Sequence, residues 1–297
     1  MHARMFARRL MSGGVAALTL VGGCTPAGSV TGPPASATAA EQEPDAGART
    51  EGATCSPSCT TDELLWGMKS MYAGLGSYAD TGEVVTIFVS ADGRRHGSRK
   101  PFRTAFVRPD RFRFEFTEQE NEFATQDPFV VWSDGDTTRV WWTLRPSVRT
   151  MSSVRDGIWA AAGVSGGSSS MVPTMLLGLR DFPLDLVFLS RARVDGEEKV
   201  ERTRCVRLTW SEAEQGSAGI TMEPPPPGMD VPDSTTETLT AWISVQDLTL
   251  RKLVETTRFS DFRSEDTITW RPTPNAEIEP SEFAFVPPST GQPGDAD

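Results

Sequence analysis

The amino-acid sequence predicts a mainly β domain, an antiparallel sheet with one helix at its start and two short helices in its middle. Residues 111–116 alternate strictly between Phe and charged side chains, as in a strand with one apolar and one solvated face. Residues 130–132 and 139–142 flank Ser133-Asp134-Gly135-Asp136, which is a hairpin signal. Short polar connections separate the candidate strands, so we expect sequence neighbours to pair antiparallel.

The amino terminus predicts export. Arg4, Arg8 and Arg9 precede an apolar run at 11–21 that is too short to span a bilayer. A pair of glycines then stands before Cys24, and this string resembles a bacterial lipobox. The resemblance implies that Cys24 becomes the diacylated first residue of the mature protein, which suffices for stable membrane anchoring. The alternative is an unmodified cysteine in a secreted protein.

The chain divides by composition into four segments. Residues 1–23 form the predicted lipoprotein signal peptide. Residues 24–59 are rich in small and polar residues and poor in large apolar ones, which predicts a flexible tether. Residues 60–288 are long enough for one domain with a sizeable core, and 289–297 form a predicted disordered tail.

The charge of the chain argues against a nucleic-acid partner. The formal net charge is −11, and removal of 1–23, with three Arg and no acid, makes the mature protein more acidic still. Phosphate binding needs clustered Lys and Arg. Adhesion to anionic lipid is disfavoured for the same reason. Membrane attachment is therefore expected through the acyl chains of Cys24.

No cofactor or metal site is predicted. We find no phosphate-binding Gly loop with its Lys and no zinc-protease string in the sequence. Beyond Cys24 there are Cys55, Cys59 and Cys205, whose spacing lacks a second pair of metal ligands. Cys55 and Cys59 could close a small loop, or either could pair with Cys205, and one thiol is left over in each case.

The secondary structure is predicted in chain order. A helix over 60–78 begins with Thr60 and Glu63 at capping-box spacing. A turn at 80–82 and a strand at 83–90 follow, with the next turn at 91–93. Further strands are predicted at 204–210, 236–245, 249–259 and 266–270.

Residues 154–179 differ from the rest because they are apolar and helix-like. A Gly/Ser hinge at 166–170 divides them into two short helices. Such helices need a hydrophobic surface to cover, and the Phe/Trp face of the sheet is the one that the sequence offers.

Several strings, in order, resemble the family of periplasmic outer-membrane lipoprotein carriers (LolA-like) and its lipid-binding lipoprotein relatives. These are LLWGMKSMYAGLGSYADTGEV, FVRPDRFRFEF, VVWSDGDTTRVW, CVRLTW, LTAWISVQDLTLRKLVETT and FAFVPP, which together cover most of 60–288. The resemblance implies a strongly curved antiparallel sheet, an open half-barrel, closed by a lid of short helices over a cavity for acyl chains. The predicted anchor and the proline-rich loop at 223–233 are features that the soluble carrier lacks. The resemblance also implies an arginine that holds the lid, and we assign no arginine of this chain to that role.

Candidate site residues follow from the sheet and the lid. The predicted cavity lining is Phe112, Phe114, Phe116, Trp132, Trp141, Trp142, Trp210 and Trp242. The predicted lid contacts are Ile158, Trp159, Met171, Met175 and Leu176. The alternative is that these side chains form an ordinary core. Because adjacent strand residues point to opposite faces, either Trp141 or Trp142 must face outward.

An enzyme is not predicted. Residues 163–167 fit the string G-x-S-x-G, but that elbow needs a preceding strand and a later His, and His96 is the last His in the chain. We expect an envelope lipoprotein that binds an acyl chain or a lipidated partner. The alternatives are a sensor that contacts an envelope protein and a structural lipoprotein with a closed core. Thr25, where the bacterial sorting rule has Asp for the inner membrane, favours the outer membrane.

Overall fold

The computed structural model describes residues 59–119, 127–179, 184–215 and 234–288, in which eleven strands form one sheet. The strands are β1 (Ser77–Ser90), β2 (Arg95–Val107), β3 (Arg111–Glu118), β4 (Asp127–Asp134), β5 (Thr138–Trp142), β6 (Arg145–Met151), β7 (Arg193–Val200), β8 (Thr203–Ser211), β9 (Ser234–Ser244), β10 (Leu250–Phe259) and β11 (Phe262–Pro274). The helices are α1 (Thr61–Gly74), α2 (Val154–Ala162), α3 (Val172–Leu176), α4 (Leu184–Leu189) and α5 (Glu212–Gln215), with a 3-10 turn at Pro280–Phe283.

The sheet consists of two antiparallel meanders joined along β1 and β11. Its strand order is β6-β5-β4-β3-β2-β1-β11-β10-β9-β8-β7. The β1–β11 ladder runs from Tyr78 opposite Pro274 to Ser90 opposite Phe262. Strands β6 and β7 are the two edges, so the sheet is open. The predicted fold class, an open antiparallel sheet with an N-terminal helix and short covering helices, is confirmed.

Helices α1 to α4 pack on the face of the sheet that we call the inner face; the opposite one is the outer face. The alternation of β3 explains how the faces differ. Phe112, Phe114 and Phe116 are fully buried in the inner-face core, while Arg113 and Glu115 between them pair on the outer face. One strand therefore supplies both a core and a charged surface, as its sequence predicted.

The first helix begins as predicted but ends earlier. Thr60 and Glu63 form a capping box, which satisfies free N–H groups of the first turn. Helix α1 ends at Gly74, and Tyr78 and the predicted turn at 80–82 lie inside β1. Gly82 is needed there because a Cβ would lie 2.2 Å from Phe102 Cζ. The sequence alone does not distinguish a glycine that makes room for a neighbouring ring from a glycine in a turn, so the turn at 80–82 was wrongly predicted.

The sequence analysis missed strands β2, β6 and β7, which are rich in charged residues. Edge strands β6 and β7 are exposed along almost their whole length, so neither has the alternation of a half-buried strand.

The disulfide alternatives that involve Cys205 are wrong. Cys59 is disulfide-bonded to a partner outside the described residues, and Cys205 is a buried free thiol whose pKa burial raises to about 11. The predicted signal peptide, the predicted tether up to residue 58, the proline-rich loop and the predicted tail also lie outside the described residues.

The described residues contain neither a membrane-spanning helix nor a cluster of metal ligands. None of the helices there combines the length and the apolar character needed to cross a membrane. No group of three or more His, Cys, Asp and Glu side chains in these ranges is arranged to hold a metal ion.

Candidate functional site

A continuous row of aromatic rings crosses the inner face. Its ring centroids are 6.1 Å apart for Trp270 and Phe102, 6.1 Å for Phe102 and Phe114, 6.3 Å for Phe114 and Phe116, 5.4 Å for Phe116 and Phe129, and 5.8 Å for Phe129 and Trp142. We call these six residues the aromatic row. Gly82 on β1 pairs with both Phe102 and Trp270, so its missing side chain lets the two rings meet across the strand. The row gives the sheet an extended apolar surface.

Residues 154–177, comprising α2, α3 and the turns between them, lie on the inner face and are called the lid. Helix α2 packs against β4, β5 and β6, and α3 packs against α1. The lid approaches the sheet closely at two glycines. A Cβ on Gly157 would lie 2.6 Å from Val131 Cγ1, and one on Gly166, whose φ is +64°, would lie 2.9 Å from Val84 Cγ1. The two short helices joined by Gly/Ser turns are therefore present as predicted.

The buried hydroxyls of the lid bond within the lid. The hydroxyls of Ser165 and Ser169 lie 2.9 Å apart, and Ser168 Oγ donates to Ser165 O at 2.9 Å. Thr174 Oγ1 donates to Met171 O at 2.9 Å. These buried hydroxyls keep their partners wherever the lid goes, so moving the lid as a unit leaves none of them unpaired.

Two cationic side chains of β2 and of the loop after it clasp the lid to the sheet. Lys100 Nζ donates to Val164 O at 2.9 Å and also pairs with Glu118 at 3.1 Å. Arg108 Nη2 donates to Leu176 O at 3.1 Å, while its Nε donates to Leu75 O at 2.9 Å. Arg108 thus joins α3 to the end of α1. Both hydrogen bonds are charge-assisted, and in both the acceptor is a backbone carbonyl near a turn of the lid.

The structure divides the predicted lining residues between the two faces. The inner-face residues are Phe112, Phe114, Phe116, Trp142 and Trp210, and the outer-face residues are Trp132, Trp141 and Trp242. The prediction that these eight residues line the cavity is therefore corrected for three of them, and of the adjacent pair it is Trp141 that faces outward. Trp132 and Trp141 form a separate cluster with Phe285. Trp242 bonds Glu198 and is out of phase with Leu239, Ala241 and Ile243, the residues of β9 in the inner-face core. Whether the inner-face residues line a ligand site stays a prediction.

The predicted lid residues differ in exposure. Ile158, Met171, Met175 and Leu176 are buried, whereas Trp159 keeps 45% of its surface exposed. A shallow pocket of about 10 Å³ lies beside Trp159 and is lined by Ile158, Trp159, Ala162, Ser170, Thr174 and Leu179. It has room for roughly one water molecule. With the lid in this position, five members of the aromatic row are buried: Phe102, Phe114, Phe116, Phe129 and Trp270.

Three members of the aromatic row and both clasp residues were missed from the sequence. Phe102 and Phe129 lie on strands that the sequence analysis missed or took as shorter. Trp270 was placed in a strand but not on the inner face. The alternation of Phe102, Thr104 and Phe106, all buried, is the signal that could have found β2. Arg108 carries no such signal, because its partners Leu75 and Leu176 are distant in sequence.

A buried polar group lies under α1 beside the row. Tyr78 Oη donates to Asp80 Oδ2 at 2.8 Å, and Tyr72 Oη accepts from Leu250 N at 3.1 Å. Burial raises the pKa of Asp80 to about 7, although the bond from Tyr78 lowers it. A carboxyl with this pKa changes charge near neutral pH inside the core.

The G-x-S-x-G string does not form a nucleophile elbow. Ser165 follows helix α2 rather than a strand, it is fully buried, and its hydroxyl bonds that of Ser169. An elbow serine needs an exposed Oγ at the end of a strand.

Comparison with known proteins finds similarity at the level of the fold. No protein-family model and no curated protein matches the sequence. Solved structures that the chain resembles include LprF from Mycobacterium bovis (TM-score 0.34, 11% identity, 76% of this chain and 97% of that one). Others are a DUF1329 family protein from Desulfovibrio piger (0.32, 12%, 75% and 95%) and a LolA superfamily protein from Nitrosomonas europaea (0.29, 8%, 77% and 99%). TM-scores this low carry no functional argument, so function has to be argued from the chain's own residues.

Proposed function

We propose that this protein is a lipid-anchored component of the bacterial envelope that binds one acyl chain on the inner face of its sheet, where the lid now lies. The observation that carries the proposal is the pairing of an aromatic row with a lid whose buried hydroxyls bond within the lid. A ligand that replaces such a lid needs to match only apolar contacts and the two clasp bonds.

The free energy of apolar burial is similar for the lid and for a bound acyl chain. The lid buries five large apolar side chains, Ile158, Met171, Val172, Met175 and Leu176. At about 1.5–3 kcal/mol each, their burial is worth roughly 8–15 kcal/mol. A 16-carbon chain has about 15 methylene and methyl groups, worth roughly 12 kcal/mol at about 0.8 kcal/mol each. The apolar burial of lid and ligand is thus of similar size before the cost of immobilising the ligand is counted.

The anchor of the proposed protein is Cys24, the diacylated first residue of the mature chain, joined to the domain through 24–59. Thr25 favours the outer membrane. Binding of this kind, without catalysis, serves lipid or lipoprotein transport, or sensing of lipidated molecules at the membrane.

A structural lipoprotein with a permanently closed core is the second candidate. The small volume of the pocket beside Trp159 favours it, because about 10 Å³ cannot accept a hydrocarbon chain unless the lid moves. The two candidates differ in one property: only the first takes up an acyl chain.

The experiment uses the full chain with Cys24→Ala, which lacks the proposed acyl anchor and is therefore purified without detergent. Its organic extract is analysed by mass spectrometry, and a fluorescent 16-carbon fatty acid is titrated against the stripped protein with palmitic acid as competitor. We expect saturable, competable uptake at one site. A chain that yields no extracted lipid and takes up no fatty acid contradicts the proposal and leaves the closed structural lipoprotein.

A further inference from the structure

The outer face carries an aromatic cluster that the inner-face core does not include. Trp132 on β4 and Trp141 on β5 lie there with Val130. Phe285 packs against both indole rings, with centroid distances of 5.0 Å to Trp132 and 5.5 Å to Trp141. We call residues 279–288, the last described residues of the chain, the C-terminal strap. The strap therefore crosses the outer face of β3–β5.

Two arginines beside this cluster hold the strap by an acidic side chain and by its backbone. Arg103 Nη1 lies 3.1 Å from Glu282 Oε2. Arg113 Nη1 donates to Glu282 O at 3.0 Å, and its guanidinium carbon lies 5.3 Å from the centroid of the Phe285 ring. Glu115 on β3 pairs with both arginines. The sheet itself thus positions the two guanidinium groups, independently of the strap.

Side chains, rather than strand pairing, hold the strap in place. Strand β11 ends at Pro274, and Asn275 N donates to Ser77 O at 2.9 Å. The backbone bonds of the strap beyond that point are local in the part of the chain that the structure describes, as in Glu282 N to Glu279 O. The strap can leave without breaking a ladder bond of the sheet, and it would then expose two tryptophans and two arginines.

We infer that Arg103, Arg113, Trp132 and Trp141 form a docking site for a partner protein, and that the strap occupies this site intramolecularly. The partner presents a segment with a carboxylate three residues before a phenylalanine, the spacing of Glu282, which lies in the 3-10 turn, and Phe285. Trp and Arg are the side chains that contribute most at protein interfaces, and the bonds to carboxylate and carbonyl are charge-assisted. In a chain of net charge −11, two arginines at one aromatic site select an acidic segment.

The site lies on the face opposite the lid, so this inference does not depend on acyl binding. The strap competes as a tethered ligand at an effective concentration of about millimolar, so a partner must bind more tightly than the strap does. Val286, next to Phe285, is 84% exposed and takes no part in the site.

The test uses the mature full chain and a fluorescent peptide that copies residues 279–288, with binding followed by anisotropy. Phe285→Ala removes the ring that contacts both tryptophans and weakens the hold of the strap on the site, while Phe283, at 3% exposure, stays in place. We expect the peptide to bind this variant at least about tenfold more tightly than the wild type, whose site is occupied. Adding Arg113→Met should abolish the gain, and Val286→Ala is the matched control that should behave as the wild type.

Equal binding of the peptide to the wild type and to Phe285→Ala overturns the inference. The inference is also overturned if acrylamide quenching shows that the tryptophans of Phe285→Ala are accessible and the peptide still does not bind. If Phe285→Ala does not fold, unlabelled peptide at millimolar concentration must lower the hydrogen-exchange protection of the strap in the wild type; unchanged protection refutes the inference. If two copies of the chain exchange straps and form dimers, the occupant of the site is a second copy of this chain, and the inference of a different partner protein is overturned. Acyl uptake, measured in parallel, should be the same for the wild type and Phe285→Ala.

Discussion

Gly157→Ala should loosen the lid and increase acyl uptake. The added Cβ would lie 2.6 Å from Val131 Cγ1 and 3.1 Å from Thr138 Cγ2, about 1 Å inside normal carbon contact for the first. Overpacking of this kind costs about 1–3 kcal/mol, and the helix preference of Ala returns at most about 1 kcal/mol. We therefore expect the lid to lose about 1–2 kcal/mol of its attachment.

The assay is titration with a fluorescent 16-carbon fatty acid, because apparent affinity rises in proportion to the open fraction of the lid. A loss of about 1–2 kcal/mol corresponds to uptake that is roughly 5–30-fold tighter. Gly163→Ala is the matched control, since it makes the same change at the end of α2, where a Cβ would meet nothing within 4 Å. Equal uptake by the two variants would refute the role of the lid, and a Gly157→Ala chain that loses stability without gaining uptake would refute it as well.

Three further predictions concern the clasp, the buried carboxyl and the anchor. Lys100→Met removes the bond to Val164 O and should speed fatty-acid uptake about 5–30-fold in stopped flow, whereas Lys252→Met, on the outer face, should not. Burial raises the folded-state pKa of Asp80 from 3.8 to about 7, so its contribution to the free energy of unfolding should fall as pH rises from about 4 to 7. Asp80→Asn should remove roughly 4 kcal/mol of that fall, measured by urea titrations at several pH values. An equal pH dependence in both chains would contradict this burial. Cys24→Ala should abolish acylation and move the protein from the membrane to the soluble fraction, and a membrane-bound variant would exclude the lipobox.

The inner face was predictable where a strand has one buried and one solvated side. In β3 the alternation of Phe and charge marks the faces without any knowledge of the rest of the sheet. The lid was predictable for a related reason, since an apolar Gly/Ser-interrupted segment in an otherwise polar chain must cover something.

The faces of Trp132, Trp141 and Trp242 were not predictable, because both sides of their strands are covered. Phe285, far along the chain, buries Trp132 and Trp141 from outside, so burial alone no longer distinguishes inside from outside. Gly82 and Arg108 were missed for a different reason. Their roles depend on partners brought close only by the register of β1 with β2 and β11 and by the packing of α3 on α1.

Hydrogen exchange of the mature full chain with and without palmitic acid tests most directly whether an acyl chain displaces the lid. We expect palmitic acid to reduce the protection of peptides from residues 154–177, while peptides from β3 and β4 stay protected. Lid protection that is unchanged at saturating palmitic acid, or raised together with that of the sheet, would contradict the exchange of lid for ligand.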